Sequence, residues 1–454
     1  MQRTTVISPN TGQPYGSWQP DSADKIESAL VRLDWNRSCL ASDIASRCDV
    51  LQGVHDALKA GRTEIERLTV EEVGKKPEEA AAEFDYALSF LEYCQTQAQH
   101  HVFVWEPSAG KKIREVTPGV ALLITPYNDP VAGIIRKIAP AIAAGAPVLV
   151  KPAPLGMLTA KFIEKTLDRA GLSDFTGLVA LDDPAAIGKL IADPRVGVVS
   201  FTGSTRIGGH VSLVAAQNYK RAVLELGGNV PFVVLPGANM EKAINDLVAR
   251  KARAAGQACS SVNRAYVHRS ILVKFRDVLA ARVDALSSGP STSGADVGPV
   301  RTRQLAGQLE SWTSQAVNDG AKRLAGPGKA AAEGTPIVFP FTLLETGQSS
   351  LFDHHETFGP LLPITGFDSF DDLLVRLSRE RHALVAYFYG PDPEALLPKL
   401  EKLRFGSIGI NSTAIQGPDV PTGGFGEAGV GREGGSWGLR EFLTTVNIRM
   451  GAPA

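Results

Sequence analysis

The sequence predicts an α/β protein: a Rossmann-like parallel-sheet domain, a second α/β domain and a small β arm. Two observations carry this. From residue 119 apolar strands alternate with amphipathic helices, and a second series of the same kind begins after Gly227–Gly228. The strands, VALLIT and PVLVK among them, are apolar at successive positions. Both faces must therefore be covered, as in a parallel sheet between helix layers. At 454 residues the chain also exceeds what one simple core holds, which fits two or more domains.

In chain order, residues 20–98 read as helices, because ADKIESALVRL and AAAEFDYALSFLEYCQTQA repeat apolar positions at helical spacing. HHVFVWE and KIREV flank the turn-like PSAGK and predict a β-hairpin. An isolated hairpin is marginal in water, so this one is expected to pack on something, another subunit included. VALLIT is then a strand, PVAGIIRKIAPAIAA a helix ended by Gly145, PVLVK a strand and MLTAKFIEKTLDRAG a helix. GLVAL, AAIGKLIAD, VGVVSF, STRIGGHVSLVAAQ and AVLEL continue the alternation. The second series comprises PFVVL, the helix leading to Cys259, AYVH, a helix from Ile271 to Leu286, LVAYFYG, a helix from Pro393 to Leu403, and SIGIN. The final TTVNIRM predicts a strand able to pair with the hairpin of residues 99–116.

Composition excludes several functions. Net charge is −1, so no basic excess points to nucleic acid or an anionic membrane. The most apolar long run, PVAGIIRKIAPAIAAGAPVLV, is interrupted by Arg136 and Lys137 and is not expected to span a membrane. The N-terminus has no apolar core of a signal peptide. Cys39, Cys48, Cys94 and Cys259 are far apart, which argues against a disulfide framework or zinc site and places the protein in a reducing compartment, the cytosol.

Several short segments carry candidate chemistry, each beside a plainer reading. Cys259, in GQACSS, is either a small buried hydrophobe or a nucleophile among small neighbours. Asn128, in TPYNDP, stands where ligands bind in an open α/β sheet, at the C-terminal end of a strand, or is a turn or N-cap asparagine. Lys151, in KPAP, reaches a phosphate or ribose, or is a solvated lysine. FTGSTRIGG, residues 201–209, is a strand-to-helix turn able to face a pyrophosphate, but it matches neither GxGxxG nor a P-loop. Glu225, in LELGG, is a general base with a burial-raised pKa, or a carboxylate at a polar sheet edge. HETFGP and PTGGFGEAGVGREGG are loops whose glycines also suit ordinary turns. His354 and His355 have no ligand set around them and read as surface histidines.

Taken together, the seven segments resemble the aldehyde dehydrogenase superfamily. TPYNDP is similar to TPWNxP, KPAP to KPSE, FTGSTRIG to FTGSTEVG, LELGGN to LELGGK, GQAC to GQxC, HETFGP to xExFGP, and PTGGFGEAGVGRE to PFGGxKxSGxGRE. The order is the family's, and so are the separations of 23 residues from Asn128 to Lys151 and 34 from Glu225 to Cys259.

The resemblance implies NAD(P)-dependent oxidation of a small-molecule aldehyde to a carboxylic acid. Cys259 would form a thiohemiacetal and then a thioester, and the Asn128 amide and Cys259 N–H would hold the oxyanion. Glu225 would activate the hydrolytic water, and Lys137 would serve as a proton relay or support. Thr125, Lys151, Gly203, Ser204, Leu226, Glu356 and Phe358 match cofactor-contacting positions. Residues 1–98 and 118–227 would form the cofactor-binding domain, and 228–436 the catalytic domain. Residues 99–117 and 437–454 would be the elements of a homodimer or homotetramer.

Departures from the pattern bear on specificity. Pro154 stands where the family often has a Glu that holds the adenosine 2′-hydroxyl and repels a 2′-phosphate, so NADP is expected to be accepted. Arg206 replaces another nearby Glu, and Thr422 an aromatic residue by the substrate funnel. LELGGNVPFVV and GQACSSVNRAYVH look most like relatives acting on semialdehydes or aromatic aldehydes, and Arg264 is a candidate cation for a distal carboxylate. Two other functions compete: an acylating relative that passes the thioester to coenzyme A or phosphate, against which Glu225 argues, and a non-enzymatic protein that kept the fold.

Overall fold

The computed structural model describes residues 3–332, 335–347 and 350–451. The N-terminal helical region resolves into three helices, Ala23–Ser42, Ile44–Val73 and Pro77–His100. Asp43 ends the first and starts the second, its carboxylate accepting the N–H groups of Ala45 and Ser46 at 3.0 Å. Gly74, at φ 85°, closes the second in the left-handed conformation that suits glycine.

The first sheet has six strands, in the order Gly429–Val430, Arg221–Glu225, Val196–Thr202, Val120–Thr125, Val148–Pro152, Thr176–Leu178. All pairings are parallel except that of Gly429–Val430. The chain runs outward from Val120–Thr125 on one side, then returns to build the other. The switch lies between Val120–Thr125 and Val196–Thr202, so the carboxyl ends of these two strands flank a crevice suited to a ligand. Helix Ala132–Ala144, with Gly145 after it at φ 92°, packs in the same apolar core as helices Ile44–Val73 and Pro77–His100.

The second sheet has seven strands, in the order Lys322–Ala325, Thr342–Glu345, Leu361–Phe367, Arg264–His268, Pro231–Val234, Val385–Tyr389, Ser407–Ile410. Only the Lys322–Ala325 edge is antiparallel. Leu361–Phe367 is fully buried. Its sequence, LLPITGF, does not announce a strand, because Pro363, Thr365 and Gly366 interrupt the apolar run and Pro and Gly are depleted from strand interiors.

The expected hairpin forms from Val104–Ser108 and Lys111–Val116, and Thr444–Arg449 pairs antiparallel with its second strand. Residues 425–443 behave differently from the bulk of the second series. Gly429–Val430 joins the first sheet, and the short helix Gly435–Arg440 contributes Leu439 to the first core. No helix among the described residues is long and apolar enough to cross a membrane.

Candidate active site

Cys259 follows the helix Met240–Ala252 through a left-handed turn. Ala254 and Ala255 have φ of 49° and 51°, and Gly256 has φ of 74°. This region costs an L-residue roughly 1–2 kcal/mol, so neighbouring contacts must impose it. The Ala254 N–H donates to Glu79 Oε1 at 2.8 Å. The Gln257 side-chain amide donates to the Ala254 carbonyl at 3.0 Å, and its Oε1 accepts the Arg301 N–H at 2.9 Å. A Cβ on Gly256 would lie 2.4 Å from the Gly359 carbonyl oxygen, so only glycine admits this approach.

Asn128 is buried just beyond strand Val120–Thr125. Its Nδ2 donates to the Gln257 carbonyl at 3.1 Å, two residues before Cys259, and to Asp129 Oδ2 at 3.3 Å. The structure thus brings these two expected residues to one place. The helix that follows, Ala132–Ala144, has no side-chain cap from its own N-cap residue. Glu83, from helix Pro77–His100, serves instead, its Oε1 accepting the N–H groups of Val131 and Ala132 at 2.8 and 2.9 Å. Glu83 Oε2 pairs with Lys75 at 2.6 Å, and Lys75 also pairs with Asp129.

The capped helix carries two cations into the interior. Lys137 donates to Ser200 Oγ at 2.8 Å and pairs with Glu433. Arg136 Nη2 pairs with Glu433 Oε2 at 3.0 Å, while its Nε is buried without a partner. Burial alone would raise Glu433, but Lys137 and Arg136 outweigh it and hold the carboxyl below its usual value. Glu225 ends strand Arg221–Glu225, buried, with Oε1 lacking any hydrogen-bond partner. Burial, followed by the Glu433 charge, pushes its carboxyl well above the usual range against the pull of Arg136 and Lys137. A group so placed holds or accepts a proton nearer neutrality than an ordinary carboxylate.

Part of the Cys259 surface reaches solvent, but dense packing on its other sides decides its acidity. Burial pushes the thiol up to about 12, and Arg136 is the largest opposing influence. The charges of Asp129, Glu356 and Glu225 push the same way as burial.

The residues matched to cofactor positions lie at strand ends or in the turns and loops beside them. Thr125 ends its strand, with Oγ1 buried and unpartnered. Burial lowers Lys151 to about 8, partly opposed by Asp182. Gly203 donates its N–H to the Glu225 carbonyl at 3.0 Å, and Ser204 caps helix Thr205–Gln217. Leu226 packs on Gly208, where a Cβ would lie 2.2 Å from Leu226 Cδ2. Glu356 Oε2 would lie 2.4 Å from a Cβ on Gly227, and burial raises its carboxyl to about 7. Phe358, at φ 42°, sets its ring edge-on to Tyr127 with centroids 6.2 Å apart.

One candidate is placed elsewhere. Arg264 is buried and paired with Asp353 at 3.1 Å and Glu380 at 2.5 Å, so its charge is spent inside the second domain. The arginine whose field reaches Cys259, Glu225 and Asp129 is Arg136. Sequence reasoning used Arg136 only to exclude a membrane span. The usable signal was two adjacent cations inside an otherwise apolar helix. Asp129, Lys75 and Glu433 were also missed, since their partners lie far apart in sequence.

Comparison with known proteins places the chain in a family. The model of the aldehyde dehydrogenase family matches residues 1–448. A succinate-semialdehyde dehydrogenase of Paenarthrobacter nicotinovorans is 34% identical over 415 residues, covering 90% of this chain and 92% of the relative. An NADP(+) succinate-semialdehyde dehydrogenase of Escherichia coli K12 is 32% identical, covering 96% and 92%. The crystal structure of succinate-semialdehyde dehydrogenase from Burkholderia pseudomallei superposes with a TM-score of 0.91 at 32% identity, covering 98% and 94%. On these grounds the chain belongs to the aldehyde dehydrogenase family and is an oxidoreductase.

Proposed function

We propose that this protein oxidises an aldehyde bearing an anionic tail to the carboxylic acid, hydrolysing a thioester on Cys259. The observation that carries this is the convergence of Asn128, Glu225 and Cys259 with the unpartnered Nε of Arg136. Features of the crevice fit a nicotinamide dinucleotide: an orphaned Thr125 hydroxyl, a buried Lys151 with no hydrogen-bond partner among the described residues, and a glycine turn ahead of a capped helix. When bound, NAD or NADP accepts the hydride. Glu356 would hold a ribose and Phe358 would line the nicotinamide end.

The residues then divide the work. The Cys259 thiolate attacks the aldehyde carbon, and the Asn128 amide donates to the oxygen that becomes negative. Arg136 opposes the rise of the thiol and so favours the thiolate. After hydride loss the carbon remains as a thioester. Glu225 takes a proton from water as its oxygen attacks that carbon, and the Cys259 sulfur leaves with the acid released. Lys137 and Glu433 hold a buried ion pair beside Glu225, fixing its field and offering it a route for the proton.

The relatives named above act on succinate semialdehyde, and a guanidinium with spare donors is the group a distal carboxylate needs. Arg136 is proposed for that role in place of Arg264. Succinate semialdehyde and butanal, compared with NAD and NADP while reduced nicotinamide and free acid are followed, test the reading. A KM at least tenfold lower for the charged aldehyde, lost in Arg136→Gln, is expected. Product formed only with coenzyme A or phosphate would overturn hydrolysis. The three-stranded sheet exposes Val104, Trp105, Val446 and Ile448, which supports a homodimer or homotetramer closing over it. Light scattering should then give two or four times 48.2 kDa. Four free cysteines support the cytosol as its place.

A further inference from the structure

Asp129 sits between the oxyanion amide and a buried ion pair, and the mechanism above leaves it unused. Its Oδ1 pairs with Lys75, whose other side is taken by Glu83 at 2.6 Å. Its Oδ2 accepts the Asn128 Nδ2 hydrogen at 3.3 Å, the longer of that amide's two bonds. Lys75 and Glu83 are almost fully buried, whereas the Asp129 side chain is 34% exposed. The carboxylate is therefore held through Oδ1 by a buried partner and remains partly exposed. Its charge acts on Cys259, and those of Arg253 and Arg136 act on it.

This geometry creates a conflict that a particular substrate resolves. The Asn128 amide has two N–H bonds, and both already have acceptors, the Gln257 carbonyl and Asp129. Donating to the oxyanion requires giving up one, and the longer bond to Asp129 is the one to break. Asp129 then faces a new negative oxygen with one donor fewer. Two anions side by side repel, and the partly exposed Asp129 carboxylate has lost the donor that offset its charge. A hydroxyl on the carbon next to the aldehyde lies beside the oxyanion and supplies the missing donor.

We propose that Asp129 is a specificity-determining residue that selects aldehydes carrying a hydroxyl on the carbon adjacent to the carbonyl. This rests on the roles proposed for Asn128 and Cys259 and adds a second recognition point to the anionic tail. Lys75 keeps the carboxylate in place, so the preference is built into the fold.

The test uses two aldehydes that differ only in that hydroxyl, 2-hydroxypropanal and propanal, with the full-length protein and NADP or NAD. Wild type should favour the hydroxylated aldehyde at least tenfold in kcat/KM. Asp129→Ala should bring the ratio below about threefold, and the isosteric Asp129→Asn should fall between. The Asn variant preserves volume, so the comparison survives if alanine disturbs folding. A wild-type ratio near one, or a ratio unchanged in both variants, would overturn the inference while leaving the dehydrogenase reading intact. Turnover of neither aldehyde by wild type, with a charged semialdehyde also inert, would overturn both.

Discussion

Replacing Glu225 with Gln removes a base and little else. The side chain is buried with Oε1 unpartnered, so an amide of the same shape breaks no hydrogen bond at that oxygen. General-base assistance contributes roughly 10²–10⁴-fold, or about 3–5 kcal/mol of barrier. The loss should fall on thioester hydrolysis, because attack by Cys259 and hydride loss do not require Glu225. Rapid mixing should therefore show a burst of reduced nicotinamide near one per active site, followed by a steady rate lowered at least a hundredfold. Glu225 acts only when deprotonated, and burial raises its pKa. Wild-type kcat should thus climb with pH through that raised value and flatten in the variant. Stability should move the other way. A raised folded pKa gives stability that is full below the unfolded value and is lost as pH rises through the folded one, so Glu225→Gln should be no less stable than wild type at pH above neutral. A variant that keeps a third of the wild-type rate, or shows no burst, would refute the assignment.

Three further outcomes follow from the same structure. Asn128→Ala should lower kcat by about 10²–10³, the usual effect of losing one oxyanion donor, and a loss below fivefold in stopped-flow turnover would count against it. Pro154→Glu should weaken NADP at least tenfold in fluorescence titration while sparing NAD, because a carboxylate there would repel the 2′-phosphate. Glu356 is raised from 4.5 to about 7, so the cofactor-free protein should lose up to about 3 kcal/mol of stability as pH rises from 4.5 to 7. Denaturant titrations of Glu356→Gln should lack that slope, and parallel pH curves for the two proteins would contradict the burial argument.

Much of this was legible from the sequence because the alternation of apolar strands and helices is local. Gly145 at a helix end, the hairpin around residue 109 and the pairing of TTVNIRM with it all appear where pattern places them. Cys259, Glu225 and Asn128 are proposed from the sequence through the family resemblance that their short segments carry, not through any one segment alone. What was not legible depends on distant partners. Glu83 caps a helix that begins 49 residues later, and Glu433 meets Lys137 across 296 residues. Arg264 and Arg136 cannot be told apart as substrate cations by composition. Both leave a buried Nε unpartnered, and they are separated by place: Arg264 is held between Asp353 and Glu380, whereas Arg136 pairs with Glu433 and its charge acts on Cys259. The left-handed turn at Ala254 and Ala255 was also hidden, since neither residue type announces it.

On the proposed mechanism Cys259 carries the acyl group. Intact-protein mass measurement after mixing Glu225→Gln with succinate semialdehyde and NADP tests it most directly, with Cys259→Ala in the same background as control. A mass increase matching one succinyl group is expected, mapped to the peptide containing Cys259 and absent from the control. Reduced nicotinamide forming at an undiminished rate in the Cys259→Ala protein, with no acyl adduct on any residue, would contradict it.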